Sequence, residues 1–136
     1  MLPKLKLLFL CTGNSCRSQM AEAFCRELGK DVECSSAGSH PGFGVHPDAV
    51  RVMAELGIDI SSQQVKGLAG LKGQRFDLFV SMGCAEACPY WTGAEELRWD
   101  IPDGCGGSVE EVRKVRDMIR ERVSELLRQH GCLEGQ

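Results

Sequence analysis

The chain alternates short apolar runs with stretches whose apolar residues recur three or four positions apart. Residues 4–10 end in Leu7-Leu8-Phe9-Leu10, a continuous run of strand length that suits burial on both faces. Over 18–28, Met20, Ala23, Phe24 and Leu28 line one helical face, with Ser18 as the expected N-cap and Gly29 as the stop. A second strand is predicted at 32–36, a turn-rich loop around Pro41 at 39–44, and a second helix at 46–56. In that helix Pro47 suits the first turn, Val50, Met53 and Ala54 share a face, and Gly57 ends it. Residues 63–73 hold pattern enough for one short helical turn. Strands are predicted at 77–82 and 95–99. The longest pattern, 108–128, repeats Val109, Val112, Val115, Ile119, Val123, Leu126 and Leu127 at helical spacing. Its other face, with Glu110–Lys114 and Arg113–Asp117 pairs, reads as solvated. Interleaved strands and helices predict an α/β fold: three layers, α/β/α, around a four-stranded parallel sheet covered on both faces.

Composition narrows the picture. The 136 residues suit one domain, taken as 1–136. A net charge of -3 gives no electrostatic case for nucleic acid or a membrane surface. No apolar run approaches the roughly 18 residues of a membrane span. Lys4 and Lys6 precede an apolar stretch too short for a signal peptide. The expectation is a cytoplasmic monomer acting on a small molecule, without a cofactor.

Eight cysteines stand out: Cys11, Cys16, Cys25, Cys34, Cys84, Cys88, Cys105 and Cys132. Without support for secretion, reduced thiols are expected, some of them redox-active. The sequence has no Cys-x-x-Cys pair, and His40, His46 and His130 are scattered, so no metal site is predicted. Cys25 and Cys34 read as buried. Cys132 reads as exposed near a frayed C-terminus, and Cys105 as an accidental competitor in disulfide exchange.

The candidate chemistry lies in Cys11-Thr12-Gly13-Asn14-Ser15-Cys16-Arg17-Ser18. A strand delivers a thiol, a short loop follows, and a helix begins. Such a loop turns successive backbone N–H groups inward and forms an anion site, to which the helix N-terminus adds positive potential. That potential favours the thiolate of Cys11, which then attacks a tetrahedral oxyanion such as phosphate or arsenate. Thr12, Gly13, Asn14, Ser15, Cys16 and Arg17 would bind the anion. The Arg17 guanidinium grips two oxygens at once. Cys16 reads as a small buried side chain within the loop.

The segment from Cys11 to Glu22 closely resembles the active-site segment of thioredoxin-coupled arsenate reductases, which share their fold with low-molecular-weight tyrosine phosphatases. The likeness continues through Ser36-Ala37-Gly38, Gly57-Ile58-Asp59-Ile60-Ser61, Val80 to Cys84, Cys88-Pro89 and Trp99 to Asp103. It implies Cys11 as nucleophile, Asn14 as a brace of the loop, and Ser18 as a donor to the Cys11 thiolate. It implies Asp103 as general acid, with Asp100 as the alternative. The family usually has proline after this aspartate; here Gly104 follows. The resemblance also places Asn14, Glu22, Ser36 and Lys66 where some members hold potassium. A lysine there suggests that its ammonium replaces the ion and pairs with Glu22.

Cys84 and Cys88 decide between reactions, because reducing arsenate needs two electrons. The resemblance implies a Cys11–Cys84–Cys88 disulfide relay, regenerated by thioredoxin. Helical spacing would hold Cys84 and Cys88 farther apart than a disulfide allows, and Gly83 and Pro89 weaken a helix there, so residues 83–93 are expected to rearrange on oxidation. Two other readings stay open. One is a tyrosine phosphatase working through a Cys11 phosphocysteine, against which stand the missing Asp-Pro-Tyr acid loop and a single tyrosine, Tyr90. The other is a module that binds oxyanions or senses oxidants without turnover.

Overall fold

A computed structural model describes residues 3–71, 73–82 and 94–135. The order is β1 (Leu5–Cys11), α1 (Arg17–Leu28), β2 (Val32–Gly38), α2 (Pro47–Ala54), a 3-10 turn (Leu68–Leu71), β3 (Leu78–Ser81), β4 (Glu95–Arg98) and α3 (Val109–Gln129). The strands form one sheet in the order β2-β1-β3-β4, and every pair is parallel. The predicted α/β fold on a four-stranded parallel sheet is the fold observed.

β1 lies inside the sheet because its residues are apolar on both sides. Leu5, Leu7, Phe9 and Cys11 face a core shared with all three α-helices, including Met20, Phe24, Met53, Ile119 and Val123. Leu8 and Leu10 face a second core made with Ala37, Leu71, Phe76 and Phe79. Each large side chain so buried contributes about 1.5–3 kcal/mol. No helix among the described residues is long and apolar enough to cross a membrane.

The element ends differ from the pattern in ways that matter. β1 runs one residue further, to Cys11, which pairs with Gly38 at the end of a longer β2. α1 begins at Arg17, so Cys16 takes the N-cap position without a side-chain cap. Ser18 is therefore not the N-cap; it lies inside the first turn, fully buried. In α2 the cap is His46, whose Nδ1 accepts from the Asp48 N–H. α3 is capped by Ser108, which accepts from the Glu111 N–H.

The expectation of reduced thiols is corrected for four cysteines. Cys25 on α1 is bonded to Cys34 on β2, where the helix packs across its following strand. Cys16 is bonded to Cys105, 89 residues away. Cys16 is buried as expected, but as half of a bridge. Cys132 is buried rather than exposed. The C-terminal segment folds back on the end of α1: Lys30 N–H donates to the Cys132 carbonyl, and Glu134 N–H donates to Leu28. Burial pushes the Cys132 thiol up from its ordinary range.

Candidate functional site

Cys11 is the last residue of β1, at the carboxyl edge of the sheet where ligands of parallel α/β folds bind. Between it and α1 the chain turns tightly over Thr12–Cys16. Every carbonyl from residue 11 to residue 16 accepts a hydrogen bond. Ser39, His40, Gly42 and His46 N–H groups hold the carbonyls of Cys11, Thr12, Gly13 and Ser15. Gln19 Nε2 holds Asn14 O at 2.9 Å, and Met20 N–H holds Cys16 O. Across a trans peptide the N–H points opposite to the carbonyl. Fixing these carbonyls outward therefore aims the following N–H groups toward the concave side, the arrangement of an anion nest.

Two backbone features make the turn possible. Asn14 adopts φ 51°, a left-handed conformation that asparagine tolerates. Gly38 permits close approach: a Cβ there would meet Thr12 O at 2.6 Å and Asn14 N at 2.7 Å. The predicted bracing role of Asn14 has a geometric counterpart. Its Nδ2 donates to Ser18 Oγ at 2.8 Å, while its Oδ1 accepts from Gln19 Nε2 and the Lys66 N–H. Ser18 Oγ lies 2.9 Å from Cys11 Sγ. Because Oγ already accepts from Asn14, its own hydrogen is free to point at the sulfur.

Arg17 is buried at the start of α1. Its Nη1 donates to the Ile101 carbonyl at 3.0 Å, and its Nη2 lies 3.8 Å from Asp103 Oδ2. The loop and the segment that carries Asp103 thus meet at Arg17. Asp100, the alternative acid, is exposed. Thr12 is also exposed, and Gly13 and Ser15 are half-buried. Cys84 and Cys88, and the rearrangement expected at 83–93, lie outside the described residues.

Glu22 sits behind the loop, 4% exposed. Ser36 Oγ donates to it at 2.9 Å, Arg26 Nη2 lies at 2.6 Å and Lys66 Nζ at 3.6 Å. The expected Lys66–Glu22 pair is present. Among the described residues one trio of metal-ligating types comes together, Cys16, Asp103 and Cys105. Two of its three ligand atoms are sulfurs bonded to each other.

Sequence reasoning missed three contributors: Gly38, Gln19 and the Ile101 carbonyl. Gly38 was visible in Ser36-Ala37-Gly38, but glycine carries no signal of which backbone must approach it. Gln19 reads as an ordinary helical residue. A carbonyl leaves no mark in a sequence.

A buried thiol held over an N–H-lined turn, with an arginine at the helix start, defines a cysteine-dependent enzyme class acting on tetrahedral oxyanions. Comparison places the chain within that class. Residues 6–132 match the family described as low molecular weight phosphotyrosine protein phosphatase. A glutaredoxin arsenate reductase of Synechocystis sp. is 37% identical over 125 residues, 90% of this chain and 95% of that protein. A structure described as an arsenate reductase in the phosphate binding state superimposes with a TM-score of 0.84 at 36% identity, over 92% of this chain and 98% of that one. A thioredoxin-dependent arsenate reductase of Corynebacterium glutamicum gives a TM-score of 0.76 at 29% identity, over 95% of this chain and 63% of that one. The chain belongs to the low molecular weight phosphotyrosine protein phosphatase family, among its arsenate reductase members.

Proposed function

We propose that the protein reduces arsenate to arsenite through Cys11, Cys84 and Cys88. The observation that carries the first step is the Asn14–Ser18–Cys11 chain of contacts, which presents a buried sulfur to the concave side of the loop. The N–H groups of 12–17 and the Arg17 guanidinium bind arsenate. The Cys11 thiolate attacks arsenic, and an oxygen leaves as water after taking a proton from Asp103. Cys84 thiolate then attacks the Cys11 sulfur. The sulfur–arsenic electron pair stays on arsenic, which departs as arsenite, and a Cys11–Cys84 disulfide remains. Cys88 attacks Cys84, freeing Cys11 and leaving Cys84–Cys88. A dithiol reductant of the thioredoxin type takes up that disulfide, a reading supported by the Corynebacterium relative. The Synechocystis relative makes glutaredoxin the comparison arm. The reaction belongs in the cytoplasm, where such reductants are kept reduced.

The test is arsenate-dependent NADPH oxidation with thioredoxin and thioredoxin reductase. Wild type turns over, and Cys11→Ser, Cys84→Ser and Cys88→Ser each lose activity by at least about 100-fold. Full activity of Cys88→Ser with glutathione and glutaredoxin would replace the internal relay by a mixed-disulfide route. No turnover with either reductant would favour an oxyanion-binding module. Slow phosphomonoester hydrolysis is a second reading, favoured by the family match and by a loop that serves both chemistries.

A further inference from the structure

The proposed acid, Asp103, has a half-exposed side chain. Packing alone does little to fix it, yet the segment around it is fastened on two sides. Gly104 is pressed against α3, where a Cβ would come within 3.0 Å of the Glu111 carbonyl and of Val115 Cγ2. A larger residue has no room there without a shift of the backbone. On the other side Cys105 is bonded to Cys16, inside the oxyanion loop. The Cys105 N–H donates to Asp103 Oδ1 at 3.3 Å, and the carboxylate lies within 4.8 Å of both bridge sulfurs. Neither sulfur belongs to the proposed relay.

We propose that Cys105 is a positioning residue: its disulfide to Cys16 fastens the acid-bearing segment to the oxyanion loop and holds the Asp103 carboxyl over the departing oxygen. This rests on Asp103 being the acid. The bridge also makes the acid step depend on redox state. Its formation takes two electrons and two protons from the Cys16 and Cys105 thiols and passes them to a disulfide oxidant such as oxidised glutathione, which leaves as two thiols. A dithiol reverses the exchange. In a reducing compartment such a bond has the character of a redox sensor rather than a permanent staple.

The test uses a signature of acid catalysis: a poor leaving group needs the proton, a good one does not. Hydrolysis of phenyl phosphate is compared with that of dinitrophenyl phosphate, and the rate ratio cancels differences in active fraction. Peptide mapping first establishes the Cys16–Cys105 bond in the wild type; its absence after oxidation by oxidised glutathione would overturn the inference. Asp103→Asn lowers the phenyl-to-dinitrophenyl ratio about 100-fold. Cys105→Ser lowers it about 3- to 10-fold, and phosphine-reduced wild type matches that value. In the double variant Cys105→Ser adds nothing to Asp103→Asn. Equal ratios in wild type and Cys105→Ser, or additive losses in the double variant, would overturn the positioning role. An unchanged ratio in Asp103→Asn would instead overturn the reading of Asp103 itself.

Discussion

Asn14 and Glu22 show how single residues set the site. Asn14 is fully buried, and its side chain ties Ser18, which contacts Cys11, the helix residue Gln19 and the backbone of Lys66 into one network. A buried amide satisfied on both its donor and acceptor sides resists any change of loop shape. Glu22 poses the opposite problem, a buried carboxylate that must be neutralised. Arg26 and Lys66 supply the opposite charge, and Ser36 adds a hydrogen bond. If the Lys66 ammonium takes the place of a cation beside Glu22, the wild type melts at the same temperature in potassium and sodium chloride. Lys66→Ala then costs about 1–2 kcal/mol, part of it restored by potassium alone. Potassium-dependent stability of the wild type would sink this account.

At the scale of elements, the alternation of apolar runs and helical stripes carried the architecture, because β1 and α3 have no other way to bury their apolar positions. The ends were less legible, and the site lies at the ends. Cys11 is a strand residue and Ser18 a helical one because backbone hydrogen bonds, not side-chain pattern, set where each element stops. The charged part of the α2–α3 contact was also invisible, since its residues read as solvated surface, while the apolar part follows the helical stripes. Glu55, just after α2, receives Arg113 Nε and Nη2 at 2.9 and 2.7 Å and Arg116 Nη1 at 2.8 Å. The Arg113 hydrogen bonds foremost, joined by Arg116, hold its carboxyl at about 2, below the usual 4.5. A carboxyl so lowered stabilises the fold above its ordinary value and loses that contribution as the pH falls toward its folded value. The stability difference between wild type and Glu55→Gln in urea is therefore constant above about pH 5 and shrinks between about pH 4.5 and pH 2. A difference independent of pH over that window would contradict the assignment.

For the whole molecule the cysteines decide the outcome. The oxyanion loop was readable because strand, turn, arginine and helix follow one another within eight residues. The two bridges were not, because each joins elements whose meeting depends on the fold: α1 with β2, and the loop with the segment before α3. Sequence separation says nothing of such meetings, and the reducing compartment inferred from composition argued against them. The eight cysteines thus divide by position rather than by count. Cys25–Cys34 ties a helix to the sheet, Cys16–Cys105 ties the loop to the segment of Asp103, and Cys132 is buried under the returning C-terminus. Cys11, Cys84 and Cys88 are the three proposed to carry the electrons that arsenate needs.

A single turnover without any external reductant tests that division most directly. Enzyme reduced with thioredoxin, then freed of it, is mixed with excess arsenate, and both arsenite and the disulfides are measured. The account predicts about one arsenite per enzyme and one new disulfide, mapped to Cys84–Cys88, with Cys11 again a free thiol; the two electrons gained by arsenic equal the two lost by that pair. Arsenite formed without a Cys84–Cys88 bond, or no arsenite at all, would contradict it.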